Sequence, residues 1–314
     1  MGGLIVHHWS VGPVGWVVVA VAVLHQVGYL RRQRAARDRT SPAYRARRRR
    51  AIAFIAGLAS VFLALESPVD YWADTLFWSH MIEHLLLWSA AAPLIALGAP
   101  WLLLLRGLPR RWRRPVSRFG LRSRVLVPLR GLWRLVDRPV VAWVLFTADV
   151  WAWHMPAPYD ATLAWPAVHY TEHITFLALG VLFWLQIVDS HPMRSPLTKP
   201  GRIVFAAAGA VQNWVLAMAL TFSTHPWYSG YADLAHRPGG ITAIQDQHLG
   251  AAIMWVPGMI PLAVAILVLA HQWLNPSRVV SLDEELAELV VEEAATHRRP
   301  SRFGLSLAPR HRWR

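Results

Sequence analysis

Apolar and polar positions fall along this chain in long blocks rather than in alternation. Apolar runs cover about residues 9–30, 50–66, 76–98, 139–154, 168–188, 203–222 and 248–272. Most approach the roughly 20 residues that a helix needs to cross the hydrocarbon core of a bilayer. The second and fourth are short and reach that length only by extending into their flanks. Runs this long, with no period-two pattern, predict helices. The expected fold is an all-α, polytopic membrane protein with seven transmembrane helices. Pro93 and Pro257 fall inside runs and predict kinks there. A transmembrane domain over 1–275 is then followed by a tail over 276–314. In that tail, Ser281-Leu-Asp-Glu284 reads as a capping box that opens a short helix striped with Leu282, Leu286 and Leu289. The basic end beyond it is expected to be disordered.

The polar residues at the starts of these runs change the picture. His80-Met-Ile-Glu83-His84 and His169-Tyr-Thr-Glu172-His173 share the pattern H-x-x-E-H, and each opens an apolar run. Positions i, i+3 and i+4 lie on one helix face. Two helices therefore each present two imidazoles and a carboxylate, where ionisable groups are expensive and usually functional. A third run opens with Asp246 and His248, and His154 closes the fourth. Short aromatic loops precede both motifs, Tyr71-Trp-Ala-Asp-Thr-Leu-Phe-Trp78 and Tyr159-Asp-Ala-Thr-Leu-Ala-Trp165. The arrangement reads as a repeated helical hairpin, with the sixth and seventh runs as a degenerate third copy.

Charge supplies the orientation. The chain carries a formal net charge of +14, yet only 16% of its residues are charged, against about 25% in an ordinary soluble protein. Of the 32 basic residues, all but Arg237 fall in four segments: Arg31–Arg50, Arg106–Arg138, Arg194–Arg202 and from Arg278 onward. With seven spans these segments share one side, which is the positive-inside pattern. It puts the N-terminus out and the C-terminus in. It also argues against nucleic acid as a partner and points to anionic lipid at the cytoplasmic face. The first apolar run has no basic region before it, so it reads as a retained, reversed anchor rather than a secretory signal. The outer face becomes poor in Lys and Arg and rich in Glu66, Asp70, Asp74, Asp160, Asp233 and Asp246, a surface that attracts cations.

Several chemistries suit these residues. The chain has no cysteine, so thiolate sites, disulfides and Cys nucleophiles are excluded. Its sole lysine, Lys199, lies in a cytoplasmic loop, which excludes a retinal Schiff base. Imidazoles at i and i+4 can chelate copper, zinc or iron. The candidate metal ligands are His80, His84, His169 and His173, with His154 and His248 completing or gating the site. Glu83, Glu172, Asp149 and Asp246 are candidates to orient imidazoles or offset charge. Haem held between facing helices, as in an electron-transfer or quinol-linked protein, is an alternative. H-x-x-E-H also occurs in metalloproteases, but two copies suit a protease poorly. The plain alternative is helix packing through interhelical hydrogen bonds, worth on the order of 1 kcal/mol each.

Three strings bear a resemblance. His80-Met-Ile-Glu-His84-Leu-Leu-Leu with Ala92-Pro-Leu-Ile95 and Gly98-Ala-Pro100 resembles the third span of the multi-spanning CtaG family of cytochrome c oxidase assembly factors. Trp153-His154-Met-Pro156, Tyr159-Asp160, the second H-x-x-E-H and Phe183-Trp184 resemble its middle segment. Asp246-Gln-His248-Leu-Gly250 through Gly258 resembles its last span, with Ala251 where a second glycine is expected. The resemblance implies a multi-pass protein of the bacterial inner membrane that helps metallate cytochrome c oxidase, with copper as cofactor and oxidase subunits as partners. Passing an ion on by direct contact needs no covalent chemistry, so no enzyme activity is expected.

Overall fold

The computed structural model of the chain describes residues 8–34, 39–234 and 237–275. The helix expected from Ser281 lies outside the described residues. Seven main helices run in chain order: α1 Pro13–Gln33, α2 Pro42–Glu66, α3 Phe77–Gly98, α4 Pro139–Trp153, α5 Pro166–Ile187, α6 Lys199–Thr221 and α7 Ala243–Leu274. Proline opens α1, α2, α4 and α5, where its fixed φ helps and its missing N–H costs nothing. Three shorter helices, Trp101–Gly107, Arg110–Arg122 and Val127–Val136, carry the Arg-rich connection from α3 to α4.

The protein is a polytopic α-helical membrane protein. Among the described residues, α1, α3, α5, α6 and α7 are long and apolar enough to cross a bilayer. The other two differ in kind. Helix α2 is 25 residues long, but its first half carries Arg45 and Arg47 to Arg50. Helix α4 is apolar but only 15 residues long.

Helix α3 is the centre of the bundle, packed on α2, α5 and α7. It is not a continuous α-helix. Residues Leu86–Ala91 form a π-turn between Phe77–Leu85 and Ala92–Gly98. Pro93 supplies the cause, because it has no N–H to return to the preceding turn. The carbonyls this loosens find side chains on neighbouring helices. Ser60 Oγ donates to the Leu86 carbonyl at 2.8 Å, and Trp184 Nε1 donates to that of Trp88 at 2.9 Å. Gly180 lets α5 approach here, since a Cβ at that position would lie 3.2 Å from the Trp88 Cβ.

The hairpins share a layout. A short helix links each long pair: Pro68–Ala73 between α2 and α3, Pro156–Ala164 between α4 and α5, and Ser229–Ala232 between α6 and α7. Three acids tie this end together by accepting from backbone N–H groups of other segments. Glu66 accepts from Gly12 and Gly15 at the start of α1, at 2.6 and 2.5 Å. Asp160 accepts from Ser229 and Gly230, at 3.2 and 3.1 Å. Asp246 accepts from Phe77 and Trp78, at 2.9 and 3.0 Å. Three of the six carboxylates expected to draw cations are therefore committed to helix N-termini.

Candidate metal centre

His80 is the fourth residue of α3 and His169 the fourth of α5. The two motifs start at the same height on their helices and face each other. Each carboxylate is met by the imidazoles of the opposite helix. Glu172 lies 3.3 Å from His80 Nε2 and 3.4 Å from His84 Nε2. Glu83 lies 3.1 Å from His173 Nε2 and 3.8 Å from His169 Nε2. The contact is reciprocal, as in a two-fold interface, although both helices belong to one chain.

The cluster is dry. Glu83 and Glu172 have no exposed surface, and neither does His80. None of the four carboxylate oxygens receives a hydrogen bond of acceptable geometry. Burying an ionised carboxylate costs several kcal/mol unless it is paired and hydrogen-bonded. Protons on the facing imidazoles or cations between the groups must therefore balance these charges. The spacing suits cations. Donor atoms on one ion at bonds of about 2.0–2.2 Å lie roughly 3–3.5 Å apart. Two groups of four meet a looser condition, with all ligand atoms within 4.8 Å of one another: His80, Glu83, His169 and His173, and His80, His84, Glu172 and His173.

Surrounding contacts set the imidazole tautomers. The Tyr231 hydroxyl donates to the Ala73 carbonyl at 2.5 Å and lies 3.2 Å from His80 Nδ1. With its single proton used, Tyr231 accepts from Nδ1–H of His80. The lone pair of His80 Nε2 then points into the cluster, 2.8 Å from His84 Nε2. Two such nitrogens this close share either a proton or an ion. His154 is set the same way. Its Nδ1 donates to the Val150 carbonyl at 2.7 Å, and its buried Nε2 has no partner. Its ring lies 6.0 Å from that of His84. Phe176 stacks on His84 at 4.3 Å, and Tyr159 lies 5.0 Å from His80.

Not every residue anticipated for the site is there. His80, His84, His169, His173, Glu83 and Glu172 come together, with His154 beside them. Asp246 instead caps α3, so it acts on the cluster only by fixing where His80 starts. His248 is half-buried and its Nε2 meets the Ser223 carbonyl at 3.2 Å. Asp149 accepts from Trp153 Nε1 at 3.0 Å, and that indole also donates to Thr175. Tyr231 and Asp70 take places that were not assigned to them. Asp70, in the helix Pro68–Ala73, sits beside Glu83, and its pKa is pushed up to about 7 by burial first and by the Glu83 charge second. The available signal was position: each lies in the short linking helix of a hairpin.

A membrane bundle built around a buried, reciprocal His/Glu cluster defines the class: a multi-pass protein with a preformed donor set that could hold a metal ion. The chain matches the family described as cytochrome c oxidase caa3 assembly factor, Caa3_CtaG, over residues 27–275, and it belongs to that family. It is accordingly an inner-membrane protein of an assembly-factor family. An uncharacterised protein of Mycobacterium tuberculosis and one of Mycobacterium bovis are each 29% identical to it over 242 residues, 75% of this chain and 36% of theirs. One of Mycobacterium leprae is 23% identical over 282 residues, 87% of this chain and 40% of its own. The chain thus spans well under half the length of these curated relatives. No solved structure matches it.

Proposed function

We propose that this protein binds copper at the α3–α5 cluster and passes it to a subunit of cytochrome c oxidase during assembly. One observation carries the reading: two fully buried carboxylates each face two imidazoles of another helix. That is a donor set in want of cations. His80, His84, His169 and His173 are the proposed ligands, with Glu83 and Glu172 as ligands or charge partners and His154 in reserve. Neutral imidazole without thiolate suits copper, zinc and iron, and the family's oxidase role favours copper. Five of the six ring pairs among these histidines have centroids 4.1–6.4 Å apart, with both carboxylates among them. Such packing favours a bare ion over a haem macrocycle.

The membrane placement belongs to the same reading. Seven crossings, with α2 and α4 as the irregular two, put the N-terminus out and the four Arg-rich segments in, against anionic lipid. The cluster then lies near the outer face, where an oxidase subunit can receive the ion by direct contact.

The test is the metal content of the full chain purified in mild detergent. Copper should be bound by the wild type and reduced in His84→Ala and His173→Ala. Negligible copper in the wild type, or unchanged copper in both variants, sinks the ligand assignment. A Soret band in the same sample would replace copper with haem.

A further inference from the structure

The reciprocity of the cluster has a counting consequence. On one side His80 Nε2 and His84 Nε2 lie 2.8 Å apart, and each meets a different oxygen of the Glu172 carboxylate, at 3.3 and 3.4 Å. On the other side His173 and His169 lie 3.1 and 3.8 Å from Glu83. Each triad takes two imidazoles from one helix and one carboxylate from the other. We infer that the cluster is a two-ion centre, with one ion on His80, His84 and Glu172 and a second on His169, His173 and Glu83. This rests on the metal-binding reading above and adds stoichiometry, charge and a ligand division to it.

A single ion does not satisfy the site. The four-atom group of His80, Glu83, His169 and His173 leaves out Glu172, and the group of His80, His84, Glu172 and His173 leaves out Glu83. Whichever group one ion chooses, one fully buried carboxylate is left with only its facing imidazoles to balance it. Leaving that carboxylate to a protonated imidazole alone carries a desolvation cost of several kcal/mol. Two ions, one per carboxylate, remove it.

Charge then selects the oxidation state. The two carboxylates carry two negative charges in a core closed to water. Two monovalent ions bring the centre to neutrality, whereas two divalent ions leave an excess of two positive charges there. Among ions that imidazole binds well, this points to copper in its monovalent state. The halves are not equivalent. His154, with its free Nε2, adjoins the His84 triad. Asp70, half-buried in the linking helix, adjoins Glu83 in the other. The first half is richer in imidazole and the second lies nearer the connecting loop.

The experiment is a count of copper per chain. Full-length protein with His7 and His8 changed to alanine is loaded anaerobically with copper(I) and freed of loose metal over a weak chelator. Two copper ions per chain are expected. Glu172→Gln and Glu83→Gln should each retain one. A wild-type count of one overturns the two-ion centre and leaves the metal reading standing; a count of zero overturns both. Loss of both ions from either variant, with its thermal unfolding unchanged, overturns the division into triads. X-ray absorption on the loaded wild type gives a check that needs no substitution. A copper–copper vector is expected, because His80 and His173, one from each triad, have ligand atoms within 4.8 Å of each other. Loaded protein in which every copper has only light scatterers out to that range overturns the proposal.

Discussion

Helices α3 and α7 both open with an acid and a histidine in their first turns, and the structure uses them in opposite ways. In α3, His80, Glu83 and His84 share one face and meet the matching set on α5. In α7, Asp246 and His248 are two residues apart, about 200° around the helix, so they cannot serve one site. Asp246 turns inward and holds the N-terminus of α3, while His248 turns to the Ser223 carbonyl. Residue type and depth do not make a ligand set; the angle around the helix does. Spacing of i, i+3 and i+4 concentrates donors, and spacing of i and i+2 disperses them.

The difference can be pressed experimentally, beginning where the effect should be largest. Replacing both Glu83 and Glu172 by Gln should abolish copper binding and oxidase assembly. The fold should survive, because the exchange removes two buried charges with little change of shape. Metal analysis and oxidase spectra at matched expression report the loss, and unfolding in detergent reports the retained fold. Tyr231→Phe removes the acceptor that orients His80, and copper affinity should fall about 10- to 100-fold, as for other groups that support metal-bound histidine. Competition against a chelator of known affinity measures it. Asp246→Ala should act on stability instead. Loss of the α3 cap should cost about 1–2 kcal/mol in thermal or denaturant unfolding, with copper stoichiometry unchanged. His248→Ala should do least, shifting stability by under about 0.5 kcal/mol and copper not at all. If His248→Ala depletes copper as His84→Ala does, the contrast between α3 and α7 is wrong.

Much of this was legible in the residues. The positions of the long helices follow from runs of apolar side chains, because a bilayer leaves a polar backbone little choice but a helix. The six inner donors follow from two five-residue strings, because helical geometry puts those positions on one face. The repeated hairpin shows too, since each copy carries an aromatic linking segment that the structure folds into a short helix. The acids outside the two motifs were less legible. Glu66, Asp160 and Asp246 look in sequence like a cation-attracting surface, yet each reaches a backbone N–H on a segment distant in the chain. Nothing local distinguishes a carboxylate that caps a remote helix from one that faces a cation.

The sequence by itself determined the class of protein, its helices and the two faces that bear imidazole and carboxylate, because these depend on hydropathy and on a fixed 3.6-residue turn. Only the tertiary structure decided that the two faces meet in register and reciprocally, so that each carboxylate receives the other helix's imidazoles. That outcome rests on contacts between separate helices. Gly180 admits α5 beside Trp88, Asp246 sets the start of α3, and the π-turn at Leu86–Ala91 is stabilised by Ser60 and Trp184. Each is a distance across the bundle, which one-dimensional spacing cannot specify.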